Sequence, residues 1–309
     1  MTSSAPECDA EAANETPETG NGSGCVLTRG VVYTLQQLSR PQKTAGVIAI
    51  STGNFASILC YYGWKFRIAV TVVILDSADD EVLELCEQYS NSVSSINVIK
   101  IKSDSLLEAH KFALAHAIKH GLVYLDSYNH PNMIIGQATV GLEILEQMCD
   151  PIDAVILPTT TFNGCSLTEG MAVAIKRRAP EIQVIKVKPN AIDHNMEGVR
   201  QEALRNELDI PVRGRYFCYD NLEKSFIDKC ITIDQAWIDI ATEYLLDTES
   251  VCDLHASIAL APILSGQLDN LKGKSVIIPL FGRTDSMDFV KADRYAMLIN
   301  AINRRYFTL

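Results

Sequence analysis

The stretch Ile48-Ala49-Ile50-Ser51-Thr52-Gly53-Asn54-Phe55-Ala56-Ser57 holds the residues best placed for chemistry. An apolar run ends in small polar residues and a glycine, and Ala56, Leu59, Tyr62 and Phe66 then recur at helical spacing. That pattern predicts a strand, a tight turn and a helix N-terminus, where unsatisfied backbone N–H groups favour an anionic ligand. Cys165 falls at a second predicted helix start, a position that lowers a thiol pKa, but no histidine is paired with it locally. His116 and His120 lie four apart on a predicted helix, a spacing able to bind zinc. The glutamate and third ligand of a metallohydrolase pattern are missing, so surface histidines and no metal are expected. Asp253 and His255 are weighed as pocket-lining or packing residues, and Trp64 and Trp237 fall on apolar helix faces that read as core.

These residues are carried by an alternation of strand and helix signals. Strands are expected at Gly46–Ile50, Arg67–Leu75, Ile96–Ile101, Leu122–Leu125, Ala154–Leu157, Ile182–Val187 and Ser275–Leu280. The run from Arg67 to Leu75 is β-branched and nearly all apolar, as a strand covered on both faces must be. Helices are expected at Val31–Leu38, from Asn54 to about Trp64, and at Ser105–His120, Asn132–Met148, Leu167–Arg178, Ala236–Leu246, Leu254–Leu264 and Asp293–Arg304. Ser77 is expected to cap an acidic helix start, and Thr232 with Gln235 fits a capping box. Strand–helix alternation on this scale predicts an α/β protein with mainly parallel sheets.

Composition narrows the function classes. The chain has 309 residues, enough for a sizeable core, and 47% of them are hydrophobic. A net charge of −11 argues against a nucleic-acid surface. No apolar run approaches membrane-spanning length and the N-terminus lacks a signal-peptide layout, so a cytoplasmic protein with no membrane partner is expected. The nine cysteines are scattered without a Cys-x-x-Cys pair, consistent with reduced thiols. Residues 1–24 are rich in Ser, Thr, Glu, Gly and Asn with no Lys or Arg, and read as a disordered acidic tail.

A family resemblance rests on three blocks in order. Met133-Ile134-Ile135-Gly136-Gln137-Ala138-Thr139-Val140-Gly141-Leu142-Glu143 resembles the Ile-Ala-Gly-Gln-Gly-Thr-Ile-Gly-Leu-Glu-Ile block of the serine/threonine dehydratase and serine racemase family, which are fold type II pyridoxal-phosphate enzymes. Ser51–Asn54 resembles that family's Ser-Ser/Ala-Gly-Asn-His loop, and Asp153–Pro158 the strand leading into its phosphate loop. The resemblance covers about Cys25 to Asp285. It implies a two-domain architecture, with 25–46 plus 126–309 as a large domain and 47–125 as a small one. It also implies pyridoxal-phosphate-dependent deamination of serine or threonine, or serine racemisation, as the ancestral activity.

Residue by residue, the resemblance implies loss of that chemistry. In Cys25-Val26-Leu27-Thr28-Arg29-Gly30-Val31, Arg29 and Gly30 fit the family's lysine motif, but Leu27 stands at the lysine position. Leucine forms no imine and moves no proton. Lys43 lies nearby and reads as a solvated cation. The glycine-rich phosphate cradle corresponds to Thr159–Ser166, which holds one glycine; Asn163, Gly164, Cys165, Ser166 and Leu167 are its vestigial cofactor positions. Phe281 stands where the family places the hydroxyl partner of the pyridine nitrogen, with Arg283 and Thr284 following. Asn54 matches a cofactor contact, Thr52 an acid/base hydroxyl, and Phe55 replaces the usual histidine. Lys188 falls where racemase-like members supply a metal carboxylate, so again no metal is expected. The expectation is an inactive homologue with pyridoxal phosphate lost or weakly held, binding a small amino acid, a small anion or a protein partner. The alternatives are residual serine/threonine ammonia-lyase activity, or a non-catalytic subunit that forms a heteromer with an active paralogue. A homodimer is also open.

Overall fold

The architecture follows from two short blocks of β-branched sequence that can be buried only as parallel strands. It was obtained as a computed structural model, which describes residues 26–51, 53–75, 80–87, 89, 95–103, 105–127, 130–148, 150–159, 164–190, 225–249 and 254–279. The first sheet holds β1 (Val47–Ile50), β2 (Val70–Ile74), β3 (Ile96–Lys100) and β4 (Val123–Leu125), in the order β3-β2-β1-β4. All pairs are parallel, with Val47 opposite both Val70 and Val123. The second sheet holds β5 (Ala154–Pro158), β6 (Gln183–Pro189), β7 (Lys229–Ile233) and β8 (Val276–Ile277), in the order β7-β6-β5-β8, again parallel.

Parallel strands need crossover helices, and these cover both faces of each sheet. One face of the first sheet packs Val47, Val70 and Val72 against α1 (Leu27–Gln37) and α3 (Asn54–Phe66), together with Cys86 of α4 (Asp80–Glu87). The other face packs Ile48 and Val73 against Ala109, Ala113 and Ala117 of α5 (Leu106–His120). In the second sheet, Val155, Leu157 and Val184 meet α6 (Pro131–Gln147) and α7 (Gly164–Arg178). Ile156, Ile185 and Val187 meet α8 (Gln235–Glu249) and α9 (Leu254–Leu264). The α/β class with parallel sheets is therefore as expected. Among the described residues no helix is long and apolar enough to cross a membrane.

Helix ends follow local chemistry. Ser105 accepts a hydrogen bond from the Glu108 N–H at the start of α5, and Gly121 at φ 69° closes it in the left-handed region that glycine tolerates. The short helix α2 (Arg40–Ala45) was not expected; Ser39 and Gln42 form a reciprocal capping box around Arg40-Pro41. Conversely, the capping box expected from Thr232 is absent. Thr232 lies within β7, and α8 starts only after Asp234, whose carbonyl accepts from the Trp237 N–H. Trp64 is also not core: it is 40% exposed, within ring-contact distance of Tyr61 and Tyr89 on the outer side of α3. Trp237 is half-buried against the second sheet's cluster. Ser77, Leu280 and Asp293–Arg304 lie outside the described residues, and the strand expected from Ser275 is reduced to Val276–Ile277.

Candidate functional site

In an open parallel sheet, ligands bind beyond the carboxyl ends of the strands where strand order reverses. In the first sheet the chain proceeds outward from β1 to β2 and β3, then returns to place β4 on the other side of β1. In the second it runs from β5 to β6 and β7, then places β8 on the other side of β5. The reversal points are thus β1/β4 and β5/β8. Ala49 pairs with Leu125, so Ser51 and Ser127 each stand two residues beyond a matched pair, at neighbouring strand ends. Both are buried. Ser166, fully buried in the first turn of α7, donates to the Ser127 carbonyl over 3.1 Å. That bond joins the end of β4 to the helix that follows β5.

After β1 a helix opens as expected, but two of the amides at its start are engaged. Ser51 Oγ accepts from the N–H groups of Gly53 (3.3 Å) and Ala56 (3.0 Å) and donates to the Gly53 carbonyl (3.1 Å). A side chain outside the helix thereby caps α3 and occupies donors that an anion would use. Asn54 is the first residue of α3, and Thr52 lies outside the described residues.

The end of β5 is anchored from both sides. Thr168 Oγ1 donates to the Pro158 carbonyl at 2.6 Å, and the Thr159 N–H donates to the Val187 carbonyl at 2.8 Å. The Thr159 hydroxyl is buried with no hydrogen-bond partner among the described residues. Gly164 and Cys165 open α7, Leu167 packs in the apolar cluster beneath it, and Asn163 and Phe281 lie outside the described residues.

Leu27 begins α1 and is 8% exposed, within the cluster that includes Val31, Phe55 and Met133. It packs as an ordinary core leucine. Lys43 is half-buried and donates to the Gln36 carbonyl at 3.1 Å, a helix-end contact. The buried lysine among the described residues is Lys186, in mid-strand β6 at 2% side-chain exposure. Its Nζ lies 2.9 Å from Oε1 of Glu169, whose side chain is fully buried on α7. A lysine inside the otherwise apolar run Val184–Val187 was the available sequence signal for this lysine.

The best-matching sequence block does structural work. A Cβ on Gly136 would sit 2.5 Å from the Arg29 carbonyl and 2.7 Å from Gly30 Cα, so α1 and α6 touch at backbone distance. Gly141 meets the Met171 carbonyl at 2.8 Å, and Gly170 meets the Ile134 carbonyl at 2.6 Å, each measured from the same hypothetical Cβ. The α6–α7 crossing is equally close. Arg29 then donates to Thr139 (3.1 Å) and forms an ion pair with Glu143 (2.7 Å), closing α1 onto α6. Gln137, between these contacts, is fully buried and neither atom of its amide has a hydrogen-bond partner among the described residues.

His130 caps α6: its Nδ1 accepts from the Asn132 N–H at 3.2 Å. Burial pushes its pKa below the ordinary histidine value, opposed by the Asp126 carboxylate. An accepting Nδ1 leaves the ring's proton on Nε2, so the neutral ring is a donor towards its surroundings. Sequence reasoning missed this residue, although a histidine directly before Pro131 fits a helix start. The rings of His116 and His120 stack at 4.3 Å on α5, and no cluster of three or more metal-ligating side chains occurs among the described residues. His255 is buried on α9; Asp253 lies outside the described residues.

The profile of the family described as "Pyridoxal-phosphate dependent enzyme" matches residues 17–282. L-threonine ammonia-lyase of Thermotoga maritima is 26% identical over 268 residues, which span 84% of this chain and 64% of that protein. Phenylserine dehydratase of Ralstonia pickettii is 28% identical over 286 residues, 87% of this chain and 82% of that one. Among solved structures, threonine deaminase isoform 2 of Solanum lycopersicum superposes with a TM-score of 0.67 at 21% identity, covering 86% of this chain and 76% of that one. Serine racemase of Dictyostelium discoideum gives a TM-score of 0.67 at 19% identity, covering 85% and 84%. These two likenesses establish the fold.

Proposed function

Since the chain belongs to the pyridoxal-phosphate-dependent enzyme family, in its fold type II architecture, we propose that it is a member without imine chemistry. The observation that carries this reading is Leu27. It occupies the position that the resemblance assigns to the Schiff-base lysine, and it is buried among aliphatic and aromatic neighbours. A cofactor aldehyde there meets no amine, and the reaction's usual base is missing with it. Lys186 is no substitute, because its ammonium is buried against Glu169 under α7. Among the described residues none at this position fits a covalently held cofactor.

The junction between the strand ends suits a small anion or the carboxylate of a small amino acid. Support comes from the α7 N-terminus and the buried, unpartnered Thr159 hydroxyl beside it. In this reading residues 47–125 form the small domain and 25–46 with 126–309 the large one. Asn54, Asn163–Leu167 and Phe281 correspond in sequence to the vestigial cofactor positions and Thr52 to the acid/base hydroxyl, and the setting is cytoplasmic.

The test is an absorbance spectrum of the purified full chain with added pyridoxal phosphate, before and after borohydride. The expected outcome is no reducible imine band, no retained cofactor, and no 2-oxo acid from L-serine or L-threonine. A reduced imine mapped by mass spectrometry to one lysine, or measurable 2-oxo acid, overturns the proposal.

A further inference from the structure

His116 and His120 lie one turn apart on α5, a helix held to the first sheet by Ala109, Ala113 and Ala117. His116 is half-buried and His120 exposed. Side chains four apart project from one helix face, one above the other. Here the two imidazole rings have met: their centres are 4.3 Å apart and their planes 32° from parallel. Phe112, a further turn towards the start of α5, lies 5.8 Å from the His116 ring and flanks it. We propose that His116 and His120 form a two-imidazole surface site for a divalent transition-metal ion, with Cu(II) as the preferred occupant.

The separation suits coordination of both rings to one ion. With metal–nitrogen bonds of about 2 Å, two imidazoles bound at a right angle place their ring centres about 4.5 Å apart. The rings stand near that spacing before any ion arrives, so less rotamer freedom is lost on binding. The helix adds attraction of its own. α5 ends at His120, and the carbonyl dipoles of its last turn favour positive charge there. Burial, and then the His120 and Lys119 charges, push the His116 pKa below its ordinary value, which favours the neutral imidazole that coordinates. The exposed Lys119 ammonium opposes a dication, but solvent and salt screen it.

The donor set selects the ion. Without a third ligating side chain among the described residues, a closed structural zinc centre is not formed. Two nitrogens with solvent in the remaining positions suit the tetragonal N,O geometry of Cu(II), which also heads the affinity order of the divalent first-row ions. The ion would bridge consecutive turns at the end of α5, where helices fray. Because the paired geometry exists only in the helix, bound metal stabilises the folded chain. The pair shares no residue with the candidate site at the strand ends, so its occupancy is independent of the Leu27 reading.

The experiment alkylates exposed thiols such as Cys230 on the folded full chain, so that they do not compete, and titrates it with copper(II) chloride. Electron paramagnetic resonance should then show a tetragonal Cu(II) signal split by imidazole nitrogens. His116→Ala and His120→Ala should each weaken binding roughly tenfold or more, because a single imidazole is left, with the helical circular dichroism unchanged. His194→Ala, at a histidine outside the described residues, should bind as the natural chain does. Bound copper should also protect His116 and His120 of the natural chain from diethyl pyrocarbonate, as mapped by mass spectrometry, a readout that needs no variant. Unchanged affinity in both α5 variants, or equal modification of the two histidines with and without copper, overturns the proposal. Loss of binding in His194→Ala alone overturns it as well, since the ion then sits elsewhere.

Discussion

Lys186 Nζ and Glu169 Oε1 stand 2.9 Å apart between β6 and α7, with 2% and 0% of their side chains exposed. Desolvating two charges costs several kcal/mol per ion, and mutual attraction offsets this only while both partners are present. Lys186→Met should therefore cost about 3–5 kcal/mol, because it leaves a buried carboxylate. The double change Lys186→Met with Glu169→Leu should recover most or all of that loss. Urea denaturation of the natural chain, the single variant and the double variant checks both statements. A double variant as unstable as the single one would mean that the pair is not the source of the effect.

Gly136→Ala brings two opposed terms. Alanine gains up to about 1 kcal/mol in helix propensity, but its Cβ would lie 2.5 Å from the Arg29 carbonyl. Overpacking of this kind costs about 1–3 kcal/mol or more, because backbone must move. Net destabilisation is expected. Gly53→Ala, where a Cβ meets nothing within 4 Å, should cost less, about 0.5–1 kcal/mol for alanine at the α3 N-cap. Thermal unfolding of both proteins separates close helix contact from a general glycine effect.

Gln137→Met should stabilise the protein. The amide is fully buried with neither polar atom hydrogen-bonded among the described residues, and burying such a group costs about 1–3 kcal/mol. Methionine of similar length leaves no such debt. A higher midpoint in calorimetry is the expected result; a lower one would show that the amide has a partner of substantial value.

His130 makes stability depend on pH, with a definite sign. Its folded pKa is pushed below the ordinary 6.5 by burial. The unfolded chain thus takes up a proton first as pH falls. The stabilisation from His130 is present above pH 6.5 and lost progressively below it. Protonation also abolishes the Nδ1 acceptor that caps α6 and places positive charge at the helix's positive end. His130→Asn retains a cap acceptor without a titrating group. Denaturant midpoints from neutral pH to below 6 should fall less for His130→Asn than for the natural chain.

Much of the scaffold was legible because its signals are local. Val70–Ile74 reads as a strand from β-branched residues alone, and Gly121 marks the end of α5. Errors arose where neighbours decide the outcome. Thr232 has the spacing of a cap, but strand pairing with Lys188 takes it into β7. Trp64 sits on an apolar-looking helix face that the fold leaves partly uncovered. In the site, Ser51 was identifiable by its position before a helix, yet not its bonds to the amides of Gly53 and Ala56. The Lys186–Glu169 pair joins distant segments: a lysine in an apolar run signals a buried charge, but nothing local names Glu169 as its partner.

The Ser51 hydroxyl sets a competition at the first turn of α3. Any anion that approaches the Gly53 and Ala56 amides must first displace an internal acceptor already bonded at 3.3 and 3.0 Å. Such a cap is worth about 1 kcal/mol, so occupancy there is handicapped roughly fivefold in Kd before any contact with the ligand is counted. Replacing Ser51 would release the Gly53 N–H, while the Ala56 N–H would keep only its 2.9 Å bond to the Gly53 carbonyl. The turn behaves as a self-satisfied socket, in which ligand affinity and helix integrity draw on the same two N–H groups.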